Sequence, residues 1–263
     1  MALVQGAAQR GKALVETIKQ QIRGSPVVNG DETSWRENGR NGYVWSFSTE
    51  RLRYFVYRQS RASSVVTEAL GDGFEGVVVS DFYGGYNAHL GVHQRCWVHL
   101  LRDIHELKEK HKKDQSLRKW AVKVKAIYER AKGYKGPSTK LSAVEQQAER
   151  VRRQREFEQE LLKMCRPHLK RKRVQSRLCE RIERFLPELF VFVANPRVPS
   201  DNNAAERSVR EMVVSRKISG GTRSEKGSEA KGLLASLFGT WRLQHLDLYQ
   251  CCLSLLSAQN STL

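Results

Sequence analysis

No run of about 18 apolar residues occurs in this 263-residue sequence, so no helix in it is expected to span a membrane. The N-terminus, MALVQGAAQR, has neither the basic start nor the continuous apolar stretch of a secretion signal. Cysteine is scarce. The five residues are odd in number and scattered, which argues against a disulfide framework and for a reducing compartment. Neither an internal repeat nor a low-complexity tract is found. The most telling shortage is of acid: 28 Asp and Glu stand against 46 Lys and Arg, a formal net charge of +18. Such a field favours a polyanionic partner, most simply nucleic acid, over an acidic small molecule. With 40% hydrophobic residues the chain is no disordered basic tail. Its length suffices for one large domain or two small ones with a real core. Composition describes a soluble, intracellular, basic, folded protein and leaves open whether it is an enzyme.

Glycine and proline nearly vanish between His99 and Leu186, apart from Gly133, Gly136, Pro137 and Pro167. That segment holds 26 Lys and Arg against 12 Asp and Glu, so 14 of the 18 surplus charges fall there. Helices are expected over roughly 99–112, 115–134, 139–165 and 170–186. In the third, Leu141, Val144, Ala148 and Val151 recur at helical spacing, followed by Phe157, Leu161 and Leu162.

The first hundred residues differ. A helix is expected over 3–22, with Leu3, Ala7, Leu14, Ile18 and Ile22 near one face, stopped by Gly24–Ser25–Pro26. Strands follow over 27–35, 43–49 and 51–57, with Asn41–Gly42 and Thr49–Glu50 as turns. Residues 61–70 read as a helix, and 76–81 and 93–99 as short strands. After the basic block, 189–200 is an apolar approach punctuated by proline, a helix begins near Asp201, and a last helical stretch covers 228–257 through Leu233, Leu237, Trp241, Leu246 and Leu253. The pattern is a mixed α/β sheet layer interrupted by a basic all-helical insertion. The expected division is an N-terminal helix (1–24), a first core part (25–98), the insertion (99–186) and a last core part with C-terminal helices (187–263).

Three carboxylates sit where this chain would expose them. Asp31 lies in the first strand, Asp81 ends the apolar strand VVVS, and Glu206 falls in the first turns of the helix in PSDNNAAERSVR. Carboxylates gathered from separate elements repel unless something positive lies between them. The fitting occupant is a hard divalent cation, Mg²⁺ or Mn²⁺. Two such ions would activate a nucleophile and stabilise the leaving oxygen of a phosphodiester. Each residue has another reading. Asp31, after Asn29–Gly30, could be a turn former. Asp81 could be the N-cap of a helix starting at Phe82, and Glu206 could close a capping box with Asn203.

The stretches DETSWRENGRNGYVWSF, VVVSDFYGGYN, QRCWVHLLRDI and PSDNNAAERSVREMVVSRKISGGTRSEKGSEA, in this order, resemble the DDE transposases of the insertion-sequence-66 family. Their catalytic domain carries a DET-W element, an SD-x-Y-x-x-Y element, a CW-x-H element with basic residues, and an N-N-A-A-E-R element leading into R-K and G-S-E. The resemblance covers roughly residues 20–257. It implies an RNase H-like mixed sheet with flanking helices, with Asp31, Asp81 and Glu206 as catalytic residues holding two Mg²⁺ ions (Mn²⁺ as substitute). It also implies a helical insertion between the second and third of these; 124 residues separate Asp81 from Glu206. The implied activity is cleavage at insertion-element ends followed by 3′-OH strand transfer into target DNA. The implied partners are DNA, further copies of the chain on DNA and accessory proteins of the same element, in a bacterial cytoplasm at the nucleoid. Family members typically carry an N-terminal helix-turn-helix and zinc-binding region, and no paired-Cys motif precedes Asp31. A DNA-binding remnant without catalysis, and an RNase H-like nuclease that cuts without joining, are the alternatives.

Around these acids stand further candidates. Asn202 precedes Glu206 by one helical turn, and Asp201 is a competing ligand or N-cap. Cys96 and His99 form a C-x-x-H, with His89 and His93 upstream. A zinc site there lacks its second ligand pair, a strand end with Cys96 and Trp97 on opposite faces is another reading, and His99 could support the site or contact DNA. Arg207, Arg210, Arg216 and Lys217 suit phosphate contact, and Lys170, Arg171, Lys172 and Arg173 are expected to touch the DNA backbone rather than form only a solvated helix face. Trp35 and Trp45 read as core, and packing is the expected role of Tyr83 and Tyr86. Gly84–Gly85 and Gly220–Gly221 read as turns permitting close backbone approach.

Overall fold

The structure is a computed structural model and describes residues 2–257. Asn38 and Gly39 both take positive φ, 47° and 77°, the conformation that a two-residue hairpin of the right twist demands. They close β1 (Val27–Glu37) onto β2 (Arg40–Ser48). The expected turn at Asn41–Gly42 is therefore displaced by three residues. Gly42 lies inside β2 for a different reason: a Cβ there would sit 2.4 Å from the Tyr57 hydroxyl. β2 pairs antiparallel with β3 (Arg53–Arg58), after a turn in which Thr49 Oγ1 accepts from the Arg51 and Leu52 amides. With β4 (Val77–Ser80) and β5 (His93–Arg95) they make one sheet in the order β3-β2-β1-β4-β5.

Helices flank the strands. α1 (Ala2–Arg10) and α2 (Lys12–Arg23) replace the single expected helix, divided at Gly11, where a Cβ would meet Leu237 at 2.5 Å. The buried residues here are Ala8, Val15, Ile18 and Ile22, while Leu3 and Leu14 are exposed. α3 (Ser64–Leu70) follows β3. β5 ends four residues earlier than expected, because α4 (Trp97–Lys110) already starts at Trp97. α5 (Gln115–Lys132) and α6 (Ala143–Cys165) come next. Of the apolar series in α6, Val144 is 79% exposed, and the buried residues are Phe157, Leu161 and Cys165. The expected helix at 170 begins only with α7 (Ser176–Arg184), since Lys170 has φ 53°. α8 (Val191–Ala194) is one turn. α9 (Asn203–Ser219) ends on Gly220 in the left-handed conformation. The last stretch is α10 (Glu225–Leu243) and α11 (Leu248–Ser257), broken where His245 has φ 56°.

The chain divides into two compact units. The first comprises Met1–Val78, Tyr83–Val92 and Asn202–Leu263, the second Val79–Phe82 and His93–Asp201. In the first, Val28, Trp45, Phe47, Tyr86, Leu237 and their neighbours form the main core, with Trp35, Val44, Phe55 and Met212 on the opposite sheet face. In the second, Trp97, Leu100, Trp120, Val124, Phe157, Leu161 and Phe190 are central. Trp35 and Trp45 are core residues, as expected, at 1% and 0% exposure. Among the described residues, no helix is long and apolar enough to cross a membrane.

Candidate functional site

Strand alternation divides β1 between two environments. Val28, Gly30 and Glu32 face the main core of the first unit; Tyr86 packs on Gly30 and donates its hydroxyl to Glu32 Oε2 at 2.7 Å. Arg61 pairs with Glu32 while stacking 3.8 Å from the Tyr83 ring centre. Tyr83 and Tyr86 are thus packing and anchoring residues. Asn29, Asp31, Thr33 and Trp35 share the other face, the one α9 covers. There Asn29 Nδ2 donates to Asn202 Oδ1 at 2.9 Å, and Asn202 Nδ2 donates to the Gly30 carbonyl at 2.7 Å, all buried. Further along, Arg216 Nη1 donates to Ser34 and to Thr33 Oγ1, and Trp35 packs with Met212. α9 consequently runs beside β1 in the same direction.

This tie sets a register. From Asn202 to Glu206 is four helical residues, a rise of about 6 Å. From Asn29 to Asp31 is two strand residues, about 7 Å. The two rises are similar, so Asp31 on β1 and Glu206 on α9 are set at comparable distances from the Asn29–Asn202 bond. Their donors are carboxylate oxygens, the ligand chemistry of a hard divalent cation. β1 continues unbroken through Asp31, which therefore forms no turn, and the residue that caps α9 is Asn202 rather than Asn203. Asp201 is not the cap either.

Asp81, His99 and Asp201 belong to the second unit. Asp81 directly follows β4, and no helix starts at Phe82; the next turn of 3₁₀ helix is Gly84–Ala88. Its backbone is gripped by a residue the sequence did not single out. Arg95, 1% exposed, donates from Nη1 to the Asp81 carbonyl at 3.0 Å and to Ser80 Oγ at 3.2 Å. Arg95 Nε pairs with Glu188 Oε2 at 2.5 Å. A buried arginine resembles any surface cation in sequence, so only its strand position beside Cys96 could have hinted at this. Cys96 is buried at the N-cap of α4 and His99 lies in the first helical turn, which replaces the strand-end reading of Cys96 and Trp97. His93 is buried in β5, and the His89 ring lies 3.2 Å from the Gly76 carbonyl.

Arg207, Arg210 and Lys217 are exposed on α9, while Arg216 is engaged by β1. Lys170, Arg171, Lys172 and Arg173 form a bend before α7, not a helix face. Gly221 permits the expected close approach: a Cβ there would lie 2.1 Å from the Arg36 carbonyl.

An α/β sheet with carboxylates on one strand face, in a chain of net charge +18, defines a protein suited to chemistry on a polyanion. The family model described as Transposase IS66 family matches residues 1–230, and the chain belongs to that family. Membership of this family points to a transposase that acts on DNA. No curated protein matches the chain.

Proposed function

We propose that the chain cuts DNA at the ends of an insertion element and joins the resulting 3′-OH to target DNA, with Asp31, Asp81 and Glu206 as its catalytic carboxylates. The observation that carries this reading is the pair of buried bonds from Asn202 to Asn29 and Gly30, which fasten the start of α9, the helix of Glu206, to β1, the strand of Asp31. The strand order β3-β2-β1-β4-β5, with the first three strands antiparallel, supports an RNase H-like core. The basic helices α4 to α7 are the insertion between the second and third acids.

Bound by these carboxylates, two Mg²⁺ or Mn²⁺ ions supply activation of the attacking oxygen and neutralisation of the leaving one. The protein's own residues do the positioning. Asn202 holds Glu206 in step with Asp31, and the Arg95 guanidinium, braced by Glu188, holds the backbone at Asp81. Arg216 is a strut between α9 and β1. Arg207, Arg210 and Lys217, exposed one to three turns along α9, take backbone phosphates. Neither cutting nor joining requires a protein nucleophile, so no Ser or Tyr is assigned one.

The test uses the full chain, Mg²⁺ and labelled DNA carrying the ends of its own element. Cleaved and joined products are expected, with both lost by at least about a hundredfold in Asp31→Asn, Asp81→Asn and Glu206→Gln. Cleavage without joining would reassign the chain as a nuclease. Salt-sensitive binding without cleavage would make it a DNA-binding remnant.

A further inference from the structure

Several cations of the second unit have carboxylate partners. Arg130 pairs with Glu160, Arg152 with Glu149 and Glu156, Arg153 with Glu156, and Arg181 with Asp103. One cavity instead gathers three lysines with no carboxylate on its lining. It lies between the start of α5 and the end of α6, has a volume of about 480 Å³, and carries Lys119, Lys123 and Lys163 with His168 on its wall. No carboxylate lines it. None of the three lysines has an ion-pair partner among the described residues. The nearest acid in sequence, Asp114, caps α5 by accepting from the Leu117 amide at 2.9 Å.

Its floor is apolar and rigid: Trp120 is 4% exposed, and Met164 and Pro167 complete it. Two of the lysines stand four residues apart on one helix, where like charges repel. The third arrives from a different helix, and Arg171 and Arg173 follow in the bend after His168. Burial, then the charges of Arg173 and Arg171, hold the His168 ring below its ordinary value. The contrast with a groove of the first unit is instructive. That groove, of about 600 Å³, sets Glu16, Glu37, Glu68, Glu225 and Glu229 against Lys12, Lys19 and Arg58. Converging cations without a counter-charge are favourable when an anion sits among them.

We propose that the Lys119–Lys123–Lys163 cavity of the second unit is a phosphate-binding site, and that it holds the phosphodiester backbone of DNA. Lysine is suited to this role, since its compact ammonium binds phosphate as a point charge without demanding a fixed fork geometry. The site reads no base. It contributes affinity and salt dependence, and it acts in addition to the exposed cations of α9. The choice of DNA over a free polyphosphate rests on the transposase reading; the phosphate chemistry itself rests on the cavity alone.

The experiment compares the full wild-type chain with Lys119→Ala/Lys163→Ala and with a control of equal charge loss, Lys125→Ala/Lys135→Ala, two exposed lysines outside the cavity. Binding of a labelled duplex is measured by anisotropy across about 50 to about 300 mM salt, and binding of inorganic pyrophosphate by calorimetry. The cavity variant is expected to flatten the log–log salt slope by about 2 and to lose pyrophosphate binding, with the control changing the slope by less than about half as much. Lys163→Arg alone, which keeps every charge of the cavity, is expected to retain the wild-type slope. Equal loss in cavity and control variants would overturn the site, leaving only general charge. Loss of pyrophosphate binding with an unchanged DNA slope would overturn the DNA assignment in favour of a free polyphosphate. A wild-type chain that binds pyrophosphate but shows no salt-dependent DNA binding would instead count against the transposase reading.

Discussion

Asn202 turns its side chain away from the helix it starts. Its amide donates to the Gly30 carbonyl and its oxygen accepts from Asn29, so the start of α9 is fastened to β1 by two buried hydrogen bonds. Asn29 is 6% and Asn202 1% exposed, and water cannot readily replace either bond. Asn202→Ala strips both partners at once from groups that stay buried, at a cost of about 1–3 kcal/mol for each. The expected outcome is a urea midpoint clearly below wild type, together with loss of DNA cleavage beyond what the residual folded fraction explains. Asn202→Asp keeps the acceptor for Asn29 but sets a carboxylate oxygen against the Gly30 carbonyl, so it is expected to be worse than alanine. An alanine variant with unchanged stability would remove the register argument for Asp31 and Glu206.

At the scale of elements, β3 is an outer strand whose backbone α10 covers. Ser236 Oγ accepts from the Phe55 amide at 2.8 Å, and Thr240 Oγ1 accepts from the Arg53 amide at 3.0 Å. Gly232 lies one turn before Ser236 on α10, where a Cβ would stand 3.2 Å from the Phe55 carbonyl. This is how an edge is kept from pairing with other chains. Ser236→Ala leaves the Phe55 N–H buried without that acceptor and is expected to cost about 1–3 kcal/mol, read from urea unfolding. A neutral result would mean that α10 covers the edge by packing alone. Such pairings explain what could be read in advance. The strands, the basic helices and all three acids carry local patterns, and so the α/β class and the candidate acids were legible. The hairpin was misplaced because Asn38–Gly39 and Asn41–Gly42 satisfy the same turn chemistry, and only the Tyr57 ring over Gly42 decides between them. The bonds of Asn202 to Asn29 and of Arg95 to Asp81 join residues with no shared periodicity, which leaves no mark in a single sequence.

For the whole molecule, charge and buried titratable groups together bound the pH range of stability. Burial holds His89 below its ordinary value of 6.5, and burial with Arg173 and Arg171 does the same for His168. A histidine depressed in the folded chain binds its proton more readily when unfolded. Its contribution is therefore complete above 6.5 and is lost as pH falls through the folded value. Protonating any of the seven histidines also adds positive charge to a surplus of 18, which acts in the same direction. On the alkaline side the sign reverses. Burial pushes Tyr54 up from 10.0 to about 12, so its contribution is present below 10.0 and is lost as pH rises towards 12. Cys165, raised by the Cys179 sulfur beside it and by burial, adds to that loss, while Lys231, depressed by burial, opposes it. Stability is expected to form a plateau from near neutrality to about pH 9, where the loss at Cys165 sets in, and to fall on both sides. Urea midpoints measured across that range test this directly. Tyr54→Phe is expected to flatten the alkaline limb, and His89→Gln with His168→Gln the acid limb, and adding salt is expected to raise the acid limb most, because screening weakens repulsion among exposed cations. An acid limb that rises instead of falling would mean that these two rings gain protons on folding, against the environments described for both.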